Sequence, residues 1–255
     1  MCIIGYGMVG KATAKTFDIT KYYSRSSSNI TLEQAAKCDY IFICLPTPTK
    51  EGKYVTKDIT ATIREITKYP ASKNAVFVIR STVYPGYNRY LQSTIGIKNI
   101  VSNPEFLSED TWEQDAIQPS IIVIGCDDPK YREQVLGLYQ GRFKYCKPFV
   151  TDSATAELLK LAFNSFFVTK IIFANELYDY TQKTKANYET IRQALEAHPW
   201  GSKNHFQAFH KNGRGAGGKC LRKDVEALAY LVGHSAFFDI IHYQNEKLLK
   251  ESNKV

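Results

Sequence analysis

The fold is decided by the first seventeen residues, Met1-Cys2-Ile3-Ile4-Gly5-Tyr6-Gly7-Met8-Val9-Gly10-Lys11-Ala12-Thr13-Ala14-Lys15-Thr16-Phe17. Residues 1–4 form a short apolar run of strand type, and residues 11–17 have helix composition. Between them stands G-x-G-x-x-G. Strand, glycine turn and helix in that order are the context that the dinucleotide-binding fingerprint requires. The first glycine permits the tight turn, the second lets a pyrophosphate approach the backbone, and the third lets helix pack on strand. The helix N-terminus then receives the phosphate charge. Gly5, Gly7, Met8, Val9 and Gly10 are therefore candidate cofactor contacts, against the plainer reading of a structural glycine turn.

The same alternation continues outward. A second strand is expected at 19–23. An NAD site commonly carries an acid at the end of this strand, to hold the ribose 2′-hydroxyl. Here the chain reads Ser24-Arg25-Ser26-Ser27-Ser28. Hydroxyls with one arginine suit a 2′-phosphate, so Ser24 and Arg25 point to NADP; a polar turn unrelated to the cofactor is the alternative. Thr31 and Gln34 have capping-box spacing at the head of a short helix over 31–36. The apolar run 40–45 reads as a buried parallel strand and opens into Pro46-Thr47. A helix is expected at 59–67. Strands follow at 75–79, ending in Arg80-Ser81-Thr82, and at 100–102, ending in Asn103-Pro104-Glu105-Phe106-Leu107-Ser108-Glu109. A strand at 121–124, a helix at 131–139 and an edge strand at 143–145 complete the pattern. Strands alternating with helices over residues 1–149 predict an α/β, Rossmann-type, doubly wound parallel sheet. Its ligands are expected at the carboxyl ends of the strands.

Residues 150–255 read differently. A long helical pattern runs over 152–185, a second over 188–197, and two more over 221–231 and 235–251, with a polar loop at 201–219. This half is expected to be an all-helical domain, and its apolar helices need a partner surface, so a homodimer is expected through it. Lys and Arg outnumber Asp and Glu 33 to 25, giving a net charge of +8. The basic residues are scattered, which fits attraction of an anionic ligand better than nucleic-acid binding. No apolar run approaches the ~20 residues of a membrane span, and no signal peptide precedes Gly5, so a cytoplasmic protein is expected. The six cysteines show no metal-binding or redox-pair spacing.

Chemistry gathers at Gly213-Arg214-Gly215-Ala216-Gly217-Gly218-Lys219-Cys220-Leu221-Arg222-Lys223-Asp224. The glycines allow backbone to approach a ligand. Cys220 opens a helical pattern, where the helix dipole favours a thiolate, and Asp224 lies one turn on. In the long helix Glu157, Lys160 and Asn164 make a polar stripe among Leu158, Leu161, Phe163 and Phe167. The plainer readings are a buried thiol closing a tight loop and a solvated helical face. Taken together, a thiol, an ammonium, an amide and carboxylates suit oxidation at a carbonyl carbon. The thiolate adds to an aldehyde, Lys160 and Asn164 donate to the oxyanion, and a carboxylate activates water to hydrolyse the thioester left by hydride loss.

These stretches, in order along nearly the whole chain, resemble the UDP-glucose/GDP-mannose dehydrogenase family. They are Gly5 to Gly10, Leu45-Pro46-Thr47-Pro48, Ser81 to Gly86, Asn103 to Glu109, Glu157 to Asn164 with Asn175-Glu176, and Gly217 to Asp224. The resemblance implies a nucleotide-sugar 6-dehydrogenase that uses NAD twice. It implies Cys220 as nucleophile, Lys160 and Asn164 as oxyanion donors, and Asp224 as the acid beside Lys160 and water. Thr82 and Glu105 would place water or a proton near the nicotinamide. Pro46, Thr47, Thr82, Glu109 and Lys223 would reach the cofactor, and Glu105, Phe106, Leu107, Lys160, Asn164, Gly217 and Gly218 the substrate. No metal is implied. The departures from the family pattern are Ala216 for an aromatic, Arg222 for a proline, Asp110 for a glycine, the missing acid after the second strand, and the absence of the C-terminal UDP-binding domain. That last departure supports an alternative, a cofactor-binding protein that has lost nucleotide-sugar turnover.

Overall fold

The computed structural model describes residues 1–201, 203–211, 213–218 and 220–252. These divide into two compact units, Met1–Pro48 with Tyr54–Lys160, and Thr49–Lys53 with Leu161–Val255.

The first unit is built on β1 (Cys2–Ile4), α1 (Met8–Phe17), β2 (Tyr22–Tyr23), α2 (Leu32–Ala36) and β3 (Tyr40–Ile43). A two-stranded hairpin, β4 (Thr49–Lys50) and β5 (Lys53–Tyr54), interrupts it. The chain continues through α3 (Lys57–Thr67), a 3₁₀ turn at Pro70–Asn74, β6 (Val76–Ile79), α4 (Tyr87–Ile95), β7 (Ile100–Ser102), α5 (Trp112–Ile117), β8 (Ile122–Gly125), α6 (Pro129–Gln140) and β9 (Pro148–Thr151). The sheet order is β2-β1-β3-β6-β7-β8-β9. Its first five strands are mutually parallel, β8 runs antiparallel to β7, and β9 is parallel to β8. The fold is thus the α/β class expected, with a mostly parallel sheet.

The strands are apolar on both faces because helices cover both. Side chains alternate across a strand, so Ile4, Ile41, Ile43, Phe77 and Ile79 enter one buried cluster with Ile59, Ile63 and Leu91 of α3 and α4. Ile3, Phe42, Val76 and Val78 enter another with Phe17 of α1 and Val135 of α6. Thr31 accepts from Gln34 N and the Gln34 side chain returns to Thr31 N, closing the capping box.

The edge strand differs from expectation. Residues 143–145 lie in a turn, with the N–H groups of Arg142 and Phe143 bonded back to Tyr139 O, and Tyr145 is fully exposed. The strand forms instead at Pro148–Thr151. A leading proline lacks the N–H that an interior strand would need, and an edge position tolerates it.

The second unit consists of α7 (Ser153–Thr184), which begins in the first unit, α8 (Tyr188–Ala197), α9 (Leu221–Leu231) and α10 (Ala236–Glu251). Its core joins Val168 and Ile172 of α7 to Val225, Ile241 and Leu248. The hairpin belongs largely to this unit. Glu51 and Gly52 both have positive φ (53° and 73°), as a two-residue type I′ turn requires. Glu226 of α9 accepts from Thr49 Oγ1 at 2.8 Å and from Gly52 N at 3.1 Å. Among the described residues no helix is long and apolar enough to cross a membrane.

Candidate active site

In the first unit the glycine turn has the shape of a cradle. Gly5 has φ +94°, and a Cβ there would meet Cys44 O at 2.6 Å; one at Gly10 would meet Gly5 O at 2.1 Å. Both positions are closed to any side chain. At Gly7 a Cβ would meet nothing within 4 Å, so the turn is open on that side. Gly7 is also the N-cap of α1, without a side-chain cap and with no acid in the first turn. The unsatisfied N–H groups of a helix start, including those of Met8 and Val9, suit an anion there. These residues fit the pyrophosphate of a dinucleotide.

The loops following β3, β6 and β7 leave the same end of the sheet as this turn. Thr47 Oγ1 donates to Thr82 O at 2.6 Å, which joins the loop of Pro46 to that of Thr82. Glu105, after β7, is buried with Lys160, whose Nζ lies 3.3 Å from Glu105 Oε1. Burial opposes the charge on Glu105, but the Lys160 ammonium, the Leu107 N–H at 2.7 Å and the Arg80 charge outweigh it, and its carboxyl is held below the usual range. The Phe106 ring lies 5.3 Å beneath Lys160 Nζ. Thr82 and Lys160 line one small pocket with Ser102 and Glu157. Glu109 is exposed.

Glu157, one of the three residues of the expected polar stripe, is occupied elsewhere. It accepts from Gly86 N at 2.6 Å, Asn88 N at 3.0 Å and Ser102 Oγ at 3.0 Å. It thereby caps α4, a helix for which the sequence reading made no provision. Burial pushes its carboxyl up to about 7 against those donors.

In the second unit Asn164, one turn beyond Lys160 on α7, donates from Nδ2 to Asp224 Oδ2 at 2.5 Å. Lys223 Nζ pairs with Asp224 Oδ1. Asp224 is wholly buried. Cys220 is exposed and is the N-cap of α9, and its carbonyl accepts from Asp224 N at 3.1 Å. The thiol and the carboxylate therefore belong to consecutive turns. The glycine loop is fastened by Asn245 of α10, which accepts from Ala216 N at 2.7 Å and donates to Ala216 O at 3.2 Å. Gly215 and Gly218 have φ +77° and +78°; Lys219 lies outside the described residues. At Gly217 a Cβ would have Leu249 Cδ2 as its near neighbour, at 3.9 Å.

One residue important to this geometry was not found from the sequence. Asn245 is a buried amide among Ile241, Leu248 and Leu249, and a polar residue on an apolar helix face was its available signal. Arg222 makes a two-pronged pair with Glu246, both distances 2.7 Å, which gives the replacement of a proline a structural partner.

Residues 22–142 match the UDP-glucose/GDP-mannose dehydrogenase family NAD binding domain, and residues 154–246 match the central domain of the same family. A UDP-glucose 6-dehydrogenase of Rickettsia felis is 34% identical over 236 residues, covering 89% of this chain and 50% of that protein. One of Bacillus subtilis is 33% identical over 208 residues, covering 78% and 46%. The chain thus spans about half the length of these relatives. In fold it is similar to a UDP-glucose dehydrogenase of Pyrobaculum islandicum, with a TM-score of 0.81 at 24% identity over 96% of this chain and 67% of that one. It is equally similar to a UDP-D-ManNAc dehydrogenase of Pyrococcus horikoshii, with a TM-score of 0.81 at 20% identity over 99% and 72%.

Proposed function

The chain belongs to the UDP-glucose/GDP-mannose dehydrogenase family, and on that premise we propose that it is an NAD-dependent nucleotide-sugar 6-dehydrogenase. It would oxidise a sugar primary alcohol to a carboxylate through a thioester on Cys220. The observation that carries this reading is the buried pair of Asn164 and Asp224 in the second unit, Asp224 standing on the helix that begins at Cys220; within the first unit the buried pair of Lys160 and Glu105 supports it separately. Buried polar groups are costly unless paired or used, and these are both paired and chemically matched to one task.

The roles follow from the atoms. The N–H groups at the start of α1 hold the cofactor's pyrophosphate, and the bound NAD supplies a hydride acceptor. The Cys220 thiolate adds to the carbonyl carbon of the aldehyde-level sugar, forming a C–S bond while the carbonyl pair moves to oxygen. Lys160 donates to that oxyanion. Asn164 has two Nδ2 hydrogens; one is held by Asp224, and in this reading the other donates to the oxyanion. After hydride loss, water adds to the thioester and the C–S bond breaks, returning the thiolate. Glu105, kept charged beside Lys160, accepts the proton of the alcohol or the water through Thr82 and ordered solvent.

A homodimer through the helical unit belongs to the same reading. Phe166, Phe173 and Tyr180 recur every seven residues along α7 and are 57%, 51% and 62% exposed. Seven residues are close to two helical turns, so the three rings share one face.

The test follows NADH formation with UDP-glucose, GDP-mannose and an N-acetylated UDP-sugar. One of them should yield two NADH per sugar, and Cys220→Ser should lower complete oxidation at least about a hundredfold. Wild-type turnover by Cys220→Ser would refute the thioester route. Tight cofactor binding without turnover of any sugar would support the binding-protein reading instead.

A further inference from the structure

The turn after β2 looks in sequence like a phosphate pocket, but its groups are engaged in other ways. Ser24 Oγ donates to Ser27 O at 2.8 Å, Ser28 Oγ donates to Ser24 O at 2.7 Å, and Ser28 Oγ also accepts from Ser24 N at 2.9 Å. The hydroxyls close the turn on itself. Arg25, the one cation in it, pairs through Nη2 with Asp58 Oδ2 at 2.9 Å. Asp58 stands in the first turn of α3, where the helix dipole favours its negative charge. Asp58 thus brings a carboxylate to the turn after β2 from thirty-three residues later in the chain.

We propose that Asp58 sets the choice of dinucleotide, by withdrawing Arg25 from a ribose 2′-phosphate and placing a fixed negative charge beside that position. This rests on the reading of Gly5–Gly10 as the cofactor cradle. A 2′-phosphate would bring a second anion against Asp58 and meet a guanidinium already neutralised. A 2′-hydroxyl brings no charge and can donate to a carboxylate. The pair is exposed, with side chains 86% and 36% accessible, so it contributes little to stability. Selectivity, which depends on a difference between two ligands, is where its effect should appear.

The experiment is equilibrium binding of NAD and NADP, by calorimetry, to the wild-type chain, to Asp58→Asn and to Asp58→Asn/Arg25→Ala. The wild type should bind NAD at least about tenfold more tightly than NADP, a difference of ~1.4 kcal/mol. Asp58→Asn should raise NADP affinity about tenfold and change NAD affinity less than about threefold. The double substitution should lose that gain, because Arg25 is the group released. An unchanged NADP:NAD ratio in Asp58→Asn, with NAD still bound, overturns the proposal while leaving the cradle intact. Failure of every variant to bind either dinucleotide overturns the cradle and the proposal together.

Discussion

Glu105 and Glu157 occupy two neighbouring regions of the first unit, both buried, and their surroundings drive them in opposite directions. Glu105 faces an ammonium, and its carboxyl is held below the usual range although burial opposes it. Glu157 faces two backbone N–H groups and a hydroxyl, and burial prevails, so its carboxyl rises to about 7. Dipoles at a helix start are weaker counterparts than a full charge. Burial alone therefore does not say whether a carboxylate is a working charge or a structural clasp; the nature of its partner does. Lys160, three residues beyond Glu157 on α7, is paired with Glu105 and separates the two roles.

The largest effect should come from removing that partner. Lys160→Met leaves Glu105 buried without its ammonium, which costs about 3–5 kcal/mol, and should lower the melting temperature by roughly ten degrees. Adding Glu105→Gln to Lys160→Met should recover most of the loss, because the uncompensated charge is gone. Neither variant should turn over substrate. Glu157→Gln, in contrast, should leave stability at pH 5 nearly unchanged, since the native group is protonated there. Thermal melts of the four proteins decide this, and a Lys160→Met loss that Glu105→Gln does not relieve would contradict the pairing.

A smaller effect separates the two carboxylates by pH. Glu157 has a folded pKa raised above its usual value near 4.5, so the fold binds its proton more tightly than the unfolded chain does. That contribution is complete below about pH 4.5 and is lost as pH rises through about 7. Glu105 is the reverse: its contribution is present above the usual carboxylate range and is lost on acidification. Between pH 5 and 8 only Glu157 should titrate of the two, at a cost of roughly 2 kcal/mol. His205 works against this trend. Burial and the Lys170 charge lower its pKa to about 4, so its contribution is gained between about pH 4 and 6.5. The difference between the wild type and Glu157→Gln in urea denaturation isolates the glutamate. A constant difference from pH 5 to 8 would show that Glu157 keeps one charge state throughout.

What was legible in the sequence was local. The strand–glycine–helix order at Gly5–Gly10, the Thr31–Gln34 capping box, the apolar strands and the bounds of α8 and α9 all follow from neighbours within a turn or two. So does the Cys220–Asp224 spacing. What escaped depends on partners far along the chain. α4 has its N-terminus satisfied by Glu157, sixty-nine residues from Asn88, so its cap has no local signature. Asp58 reaches Arg25, and Asn245 reaches Ala216, across gaps of 33 and 29 residues. The Glu51-Gly52 turn lacks the Asn-Gly or Asp-Gly signal of a hairpin, and each flanking strand has two residues, too few to show alternation. The polar stripe was visible as Glu157, Lys160 and Asn164, yet sequence could not divide it between a clasp and a reacting group.

The smallest effect would sharpen that division. Ser102 Oγ donates to Glu157 Oε1 at 3.0 Å and accepts from Asn88 Nδ2 at 2.9 Å. Ser102→Ala removes one of the donors that favour the charged carboxylate, so the folded pKa of Glu157 should climb further. The pH range over which stability declines should move upward with it. The substitution should also cost about 1 kcal/mol at neutral pH, because Asn88 loses its acceptor in a buried place. Glu105 lies outside this cluster of bonds, so the acid limb of the stability profile should stay where it is in the wild type. Urea denaturation from pH 3 to 9 would display both limbs. If both moved together, the two carboxylates would form one coupled system; movement of the alkaline limb alone supports a charge held by Lys160 and a separate clasp held by backbone.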